Sequence, residues 1–213
     1  MRFRNRIDAG RQLARCLAEY AGRPQTIVLA LPRGGVPVAA EVAHALGVPL
    51  DVFLVRKLGV PAHPELAMGA IAEGGASVLS DDLIASLAIP RSAIEEVTAR
   101  EGKELARRQR LYRGARVPPV VRGHTVILVD DGLATGSTME AAIRALRRLE
   151  PSRIVVAVPV AALESCDRIR GIADDVVCAY TPPFFSAVGQ WYEDFSETSD
   201  EDVRNLLAAA NTR

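Results

Sequence analysis

The sequence has little that would direct it to a nucleic acid, a membrane or a metal. Its 26 Lys and Arg residues balance 26 Asp and Glu residues, so no net charge draws it to nucleic acid or anionic lipid. The three cysteines, Cys16, Cys166 and Cys178, belong to no CxxC motif, which argues against a disulfide framework or a zinc site. No apolar run reaches membrane-spanning length, and the first residues lack a signal peptide's apolar stretch. We therefore expect a cytoplasmic protein that binds neither nucleic acid nor membrane.

Lysine is also scarce, because only Lys57 and Lys103 occur among 213 residues. A Walker A loop needs a lysine directly after its second glycine, and none follows Gly136 in the glycine-containing loop near residue 130. The dinucleotide-binding pattern GxGxxG is absent as well. These absences exclude the two commonest nucleotide-binding loops.

Strand-like apolar runs alternate with helical patterns along most of the chain. Residues 26–31 and 51–55 flank the helical segment VAAEVAHAL, and residues 124–129 and 153–160 flank the helical segment MEAAIRALRRL. Residues 174–180 form one more strand-like run. Continuous apolar runs are typical of buried parallel strands. The sequence therefore predicts an α/β fold with a doubly wound, mainly parallel sheet and flanking helices.

The middle of the chain has a different pattern. Residues 68–80 are typical of a hairpin that turns at Gly74-Gly75, and residues 91–113 predict a long, charged helix. No linker-like segment divides the chain. We therefore expect a single domain over residues 1–213, in which this middle part forms a small hood.

The segment VILVDDGLATGSTM, residues 126–139, is the strongest functional signal. Its apolar strand ends at Asp130 and Asp131, and ligands of open α/β sheets bind where strands end. The loop that follows is rich in glycine and hydroxyl residues, and backbone N–H groups at the next helix would form a phosphate cradle. Acids beside such a cradle favour a ligand with both hydroxyl and phosphate groups, neutralised partly by a divalent cation. The alternative is an ordinary strand end followed by a helix cap.

A second loop repeats this logic in the segment LALPRGGVPVAAEVA, residues 29–43. Gly34 and Gly35 would let the backbone approach an anion closely, and Arg33 supplies a fixed positive charge. Lys57 follows the strand predicted over residues 51–55 and would add a second cation. A solvated strand-to-helix turn is the alternative interpretation.

Residues 126–138 resemble the signature of the type I phosphoribosyltransferase family: an apolar strand, two acidic residues and a T-G-[GS]-T loop. Members of this family bind phosphoribosyl pyrophosphate (PRPP) and Mg²⁺. The resemblance implies that Asp130 and Asp131 hold the ribose hydroxyls, serve as Mg²⁺ ligands and contribute to catalysis. It implies that Arg33, Gly34, Gly35 and Lys57 bind the diphosphate. The 5-phosphate would lie against Ala134, Thr135, Gly136, Ser137 and Thr138.

Two further residues take roles from the resemblance. Glu73, in the segment AIAEGG, lies at a place comparable to an acid–base glutamate of adenine phosphoribosyltransferases, and is a candidate catalytic residue. Phe185, in the aromatic-rich segment 180–197, would stack on the acceptor base, with a satellite apolar cluster as the alternative. Ala134 stands where family members that act on 6-oxopurines carry Asp, which disfavours hypoxanthine, guanine and xanthine.

The expected reaction is Mg²⁺-dependent transfer of phosphoribose from PRPP to a nucleobase or similar nitrogen acceptor, with release of pyrophosphate. By analogy with the family we expect a homodimer, with mobile elements around residues 59–120 and 180–198 that cover the site. A catalytically silent, PRPP-binding regulatory protein is the alternative. A phosphate-ester hydrolase is disfavoured because the chain has no GxSxG motif and no cluster of histidines.

Overall fold

Eight strands and seven α-helices form in the computed structural model, which describes residues 2–61, 63–114 and 116–210, without the side chains of residues 64 and 65. The strands are β1 (Thr26–Ala30), β2 (Leu50–Val52), β3 (Val55–Val60), β4 (His63–Ala72), β5 (Ser77–Leu79), β6 (Thr125–Val129), β7 (Arg153–Val160) and β8 (Asp175–Tyr180). The helices are α1 (Arg6–Cys16), α2 (Gly35–Leu46), α3 (Asp81–Ser86), α4 (Arg91–Arg113), α5 (Ser137–Arg147), α6 (Leu163–Arg170) and α7 (Asp200–Ala210).

Five parallel strands make the central sheet, in the order β2-β1-β6-β7-β8. From β1 the chain moves outward to β2, whereas from β6 it moves in the opposite direction to β7 and β8. The neighbours β1 and β6 therefore mark the switch point of the sheet. A crevice opens beyond the carboxyl ends of two such strands, and this is where ligands of doubly wound sheets bind.

Both faces of the central sheet are covered by apolar helix faces. Alternate residues of one strand point to opposite faces, so Val28 of β1 packs into one core and Leu29 into the other. The first core is closed by α1, α2, α4 and α7, and the second by α5 and α6. The predicted α/β fold with a doubly wound parallel sheet is confirmed. Within the described ranges, no helix is both long and apolar enough to cross a membrane.

The middle of the chain forms a second, antiparallel sheet of β3, β4 and β5, which we call the hood together with α3 and α4. The prediction of one strand over residues 51–55 was wrong in detail. The chain leaves the parallel sheet after Val52 and enters the antiparallel sheet at Val55. Phe53 and Leu54 between them are buried in different cores, so the apolar run continues unbroken through the change of sheet. Lys57 consequently lies within β3 and not at the end of a parallel strand.

Candidate functional site

The two predicted loops meet at the switch point of the sheet. A Cβ atom built on Gly35 would lie 2.8 Å from the carbonyl oxygen of Val129 and 2.9 Å from Cα of Asp130. A Cβ atom on Gly34 would overlap the Asp131 carboxylate. The peptide bond between Pro32 and Arg33 is cis. Glycine is needed at both positions because the backbone of one loop is pressed against the acidic pair of the other.

We expect Gly35→Ala to lower the free energy of unfolding by about 1–3 kcal/mol, which is typical when a methyl group is forced into a packed site. The atoms that it meets belong to the backbone and cannot rotate away. Urea unfolding measures the change. Gly102→Ala is the matched control, because Gly102 lies inside α4 and its added Cβ would meet only Ile71 Cδ1, at 4.0 Å. The control should raise the free energy of unfolding by about 0.5–1 kcal/mol. An equal change in both variants would contradict the close contact between Gly35 and the backbone of Val129 and Asp130.

Asp131 is held by an arginine from the first helix. Arg6 Nε and Nη2 each lie 2.8 Å from Asp131 Oδ2, and both side chains are largely buried. Arg6 Nη1 also donates to the carbonyl oxygen of Ser196 at 2.7 Å, and its guanidinium lies 4.0 Å from the ring centroid of Phe195. Tyr192 donates its hydroxyl hydrogen to the carbonyl oxygen of Asp131 at 2.5 Å. Both the side chain and the backbone of Asp131 are thus held in place.

Asp130 is the acid of the pair that is not bound to Arg6. Its Oδ1 accepts a hydrogen bond from the backbone N–H of Asp131 at 2.8 Å. Burial, and then the charge of Asp131, raise the pKa of Asp130 well above its ordinary value. Burial also raises the pKa of Asp131, and the Arg6 guanidinium opposes that rise. The two neighbouring carboxylates therefore have different surroundings, which suits them to different roles.

The chemistry of the acidic pair fits Mg²⁺ only together with a ligand. Mg²⁺ is usually held by one or two carboxylates while phosphates and waters complete its octahedron. Within the described part of the chain, no group of three or more His, Cys, Asp or Glu side chains could hold a metal ion. Oδ2 of Asp131 is already bound to Arg6. Asp130 would therefore be the principal protein ligand, and oxygens of the bound substrate would have to supply the rest.

The loop after the acidic pair forms the N-terminal end of α5. Gly136 adopts a left-handed φ of +72° before the helix begins at Ser137, and no side chain caps this end. Ala134, Thr135, Ser137 and Thr138 are exposed, and the Thr135 and Ser137 hydroxyls lie 3.2 Å apart. A helix start without a side-chain cap, flanked by exposed hydroxyl residues, is an arrangement that can bind phosphate.

The two predicted cations have different surroundings. Arg33 forms an ion pair with Glu197 and lies 4.0 Å from Asp200, both in the C-terminal part of the chain. Lys57 lines a cavity of about 670 Å³ beneath the hood, where Pro32 of one loop and Thr138 of the other form part of the wall. The structure thus brings Lys57 and both loops to one cavity, while the Arg33 side chain contacts other partners.

Glu73 lies outside this cavity. It is buried at 4% exposure, forms ion-pair hydrogen bonds with Arg113 and accepts from the backbone N–H of Leu54 at 3.2 Å. Arg113 also pairs with Asp51, at 3.2 Å. These contacts give Glu73 a structural role in joining the hood to the central sheet. Its catalytic role stays a prediction that would require the contact with Arg113 to break.

Phe185 lies on the C-terminal segment beyond β8. Its ring stacks on Trp191 with centroids 6.5 Å apart, and it lines a cavity of about 430 Å³ with Leu163, Pro183 and Gln190. Val188 of the same segment would touch any side chain placed at Gly132, so the segment packs directly beside the acidic pair. Phe185 lies three residues before Val188, and its stacking role on an acceptor base stays a prediction.

Sequence reasoning missed residues that support the loops from behind. Arg6 comes from the first helix, and Ser165 and Arg168 of α6 bind the carbonyl oxygens of Ala134 and Thr135. No motif marks these side chains, because each reaches the site from an element distant in the chain. Only Tyr192 lay in a segment already singled out, by its content of aromatic residues.

A sequence-family model, described as a phosphoribosyl transferase domain, matches residues 2–195. A protein of Mycobacterium tuberculosis (strain H37Rv) with the name "Putative phosphoribosyl transferase Rv0571c" is 46% identical over 209 residues, which are 98% of this chain and 47% of that protein. The chain thus spans about half the length of the curated relatives it matches.

Solved structures agree with this comparison. The protein TT1426 from Thermus thermophilus is 46% identical, with a TM-score of 0.90, over 98% of this chain and 99% of that one. A hypothetical protein from Neisseria gonorrhoeae with bound ppGpp covers 98% of both chains at 14% identity and a TM-score of 0.51, a likeness in fold alone. Since the family model spans nearly the whole sequence, including both loops at the switch point, this chain belongs to the phosphoribosyl transferase domain family.

Proposed function

We propose that this protein is a Mg²⁺-dependent phosphoribosyltransferase, which moves phosphoribose from PRPP to a nucleobase or similar nitrogen acceptor and releases pyrophosphate. The observation that carries the proposal is the meeting of two loops at one switch point. One loop supplies paired carboxylates and a helix N-terminus, and the other presents Gly34 and Gly35 directly against those carboxylates. A sugar with a phosphate at each end matches this order of groups.

Each part of the proposed site would act on a different part of PRPP. The amides and hydroxyls of residues 134–138 would hold the 5-phosphate, and Asp130 would accept hydrogen bonds from the ribose hydroxyls. Asp131, fixed by Arg6, would keep that edge of the sugar in position. The amides of Gly34 and Gly35, with Arg33 and Lys57, would bind the diphosphate. Bound Mg²⁺ would neutralise the charge that develops on the leaving diphosphate.

The reaction itself asks for positioning and for charge stabilisation. The acceptor nitrogen forms a bond to the anomeric carbon while the bond from that carbon to the diphosphate oxygen breaks, and the proton of the acceptor nitrogen is released to the solvent. Positive charge builds on the ribose in the transition state, and the Asp130 carboxylate would stabilise it. Holding both substrates in line supplies much of the remaining rate enhancement.

The acceptor would bind on the side of the C-terminal segment. The cavity beside Phe185 has an apolar wall and the amide of Gln190, which suit a planar heterocycle with polar edges. Ala134 offers no carboxylate to an acceptor, so we do not propose a 6-oxopurine. The homodimeric state, the cytoplasmic location and the single-domain organisation with mobile elements remain predictions.

The test is to incubate the full chain with PRPP, MgCl₂ and a panel of nitrogen acceptors, and to follow pyrophosphate release. We expect release with at least one acceptor, loss of that release with EDTA, and restoration by added Mg²⁺. Calorimetry with PRPP and MgCl₂ is the companion measurement, because it reports binding without chemistry. Tight PRPP binding with no release from any acceptor would favour the silent regulatory alternative, and failure to bind PRPP would reject both.

A further inference from the structure

Helix α6 lies behind the loop that is proposed to bind the 5-phosphate. The hydroxyl of Ser165, a residue only 4% exposed, donates to the carbonyl oxygen of Ala134. One turn further along, Arg168 Nη2 donates to the carbonyl oxygen of Thr135. Two consecutive carbonyl groups of the loop are therefore pulled toward the same helix.

The root of the loop is attached to the same region of the chain. The backbone N–H of Leu133 donates to the carbonyl oxygen of Val160 at 2.9 Å, and the backbone N–H of Ala162 donates to the carbonyl oxygen of Leu133 at 3.0 Å. These bonds run between the loop and the segment that leads from β7 into α6. The start of α6 is consequently fixed relative to the loop, which keeps the backbone of Ser165 and Arg168 beside it.

Anchoring these carbonyl groups also determines where the amides point. In a planar trans peptide, the C=O of one residue and the N–H of the next point in opposite directions. When the carbonyl groups of Ala134 and Thr135 point to α6, the N–H groups of Thr135 and Gly136 must point away from it. Two successive amides directed to the same side make a concave anion-binding site.

Arg168 has a second effect through charge. Glu140 is the acidic residue in the first turn of α5, where its negative charge would oppose a bound phosphate. Arg168 Nε lies 3.9 Å from Glu140 Oε2, and Arg144 Nη2 lies 2.8 Å from Glu140 Oε1. The two arginines offset that charge close to the proposed phosphate position.

We propose that Ser165 and Arg168 are positioning residues of the 5-phosphate site, which aim the Thr135 and Gly136 amides at the anion and never touch the ligand themselves. The inference rests on the proposed function. The inference predicts that replacing Ser165 or Arg168 weakens binding of the 5-phosphate end of the substrate and leaves binding of the diphosphate end unchanged. The loop proposed to bind the diphosphate, residues 32–35, lies at the end of β1. Within the described residues, the side-chain hydrogen bonds of Ser165 and Arg168 go to the loop proposed to bind the 5-phosphate, residues 134–138, or to each other.

The experiment uses two ligands that each contain one end of PRPP. Ribose 5-phosphate contains the 5-phosphate end without the diphosphate. Pyrophosphate with MgCl₂ represents the diphosphate end without the 5-phosphate. We expect Ser165→Ala and Arg168→Met each to weaken the binding of ribose 5-phosphate about tenfold, because each removes a hydrogen bond on which the loop geometry depends. The affinity for PRPP should fall by a similar factor, and the affinity for pyrophosphate should stay within about twofold of the wild-type value.

Two further variants complete the design. Arg168→Lys keeps a cationic donor and should recover part of the ribose 5-phosphate affinity. Arg170→Met is the matched control, because Arg170 lies on the same helix but pairs with Asp167, at 2.6 Å. It should leave the affinity for all three ligands unchanged.

Several results would overturn the inference. Unchanged ribose 5-phosphate affinity in Ser165→Ala and Arg168→Met would do so. An equal loss of affinity for all three ligands would also do so, because it indicates general destabilisation. If the wild type binds neither ribose 5-phosphate nor PRPP, the proposed function fails and the inference falls with it. If the wild type binds both and the variants match it, only the inference fails.

Discussion

Replacement of Arg113 by Met is expected to lower the free energy of unfolding by about 3–5 kcal/mol, the usual cost of removing one partner from a buried ion pair. Arg113 is 5% exposed and pairs with both Glu73 and Asp51. Its Nη2 also donates to the carbonyl oxygen of Val52 at 3.0 Å. Met fills a similar volume but leaves two buried carboxylates without a counter-charge, so the loss is electrostatic.

Urea unfolding followed by circular dichroism would measure this effect. Arg107→Met is the matched control, because Arg107 lies on the same helix but its side chain is 57% exposed and pairs with Glu104 at the surface. Exposed pairs contribute little, so the control should change stability by less than about 1 kcal/mol. If the two variants unfold at the same urea concentration, the buried network does not hold the hood to the central sheet as we infer.

The second large effect is expected in ligand binding. The double variant Asp130→Asn and Asp131→Asn should weaken PRPP binding in MgCl₂ by about 100-fold or more, because each hydrogen bond from a hydroxyl to a charged acceptor contributes about 1.5–3 kcal/mol. Of the single variants, Asp130→Asn should account for most of the loss of affinity. Asp131→Asn should act mainly on stability, because it leaves Arg6 without its carboxylate partner. Calorimetry and thermal unfolding of the three variants separate these contributions.

The chain provides an internal control for this experiment. Asp81 and Asp82 form a second pair of adjacent acids, both exposed in the first turn of α3. Replacing both with Asn changes the net charge by the same amount and should leave PRPP affinity unchanged. Unchanged affinity in the Asp130 and Asp131 double variant would reject the site, whereas equal losses in both double variants would indicate a general effect of charge.

The framework of the site was predictable because local patterns determine it. The apolar runs of β1, β6 and β7 are buried along nearly their whole length, and the connections from β1 to β2 and from β6 to β7 each leave room for one helix. The two glycine-containing loops followed directly from the ends of these strands. Helix α4 was predicted with its observed bounds because its apolar residues recur at helical spacing.

The supporting residues were not predictable for a physical reason. Arg6 and Asp131 are 125 positions apart, and Arg168 and Thr135 are 33 apart, so no local period connects them. Tertiary packing alone brings them together. Glu73 illustrates the opposite problem, because a local resemblance suggested chemistry at a residue whose contacts in the fold are a buried ion pair and a backbone amide.

The two-residue connection between the sheets limits how the hood can move. Phe53 and Leu54 are each 2% exposed and bridge β2 to β3 without a loose residue between them. Swinging the whole antiparallel sheet outward would draw both side chains into water, at about 1.5–3 kcal/mol for each. Bending the β3–β4 ribbon at its far end exposes neither of them. We therefore predict that the base of that ribbon, at Phe53 and Leu54, stays in place as a fixed anchor when a ligand binds.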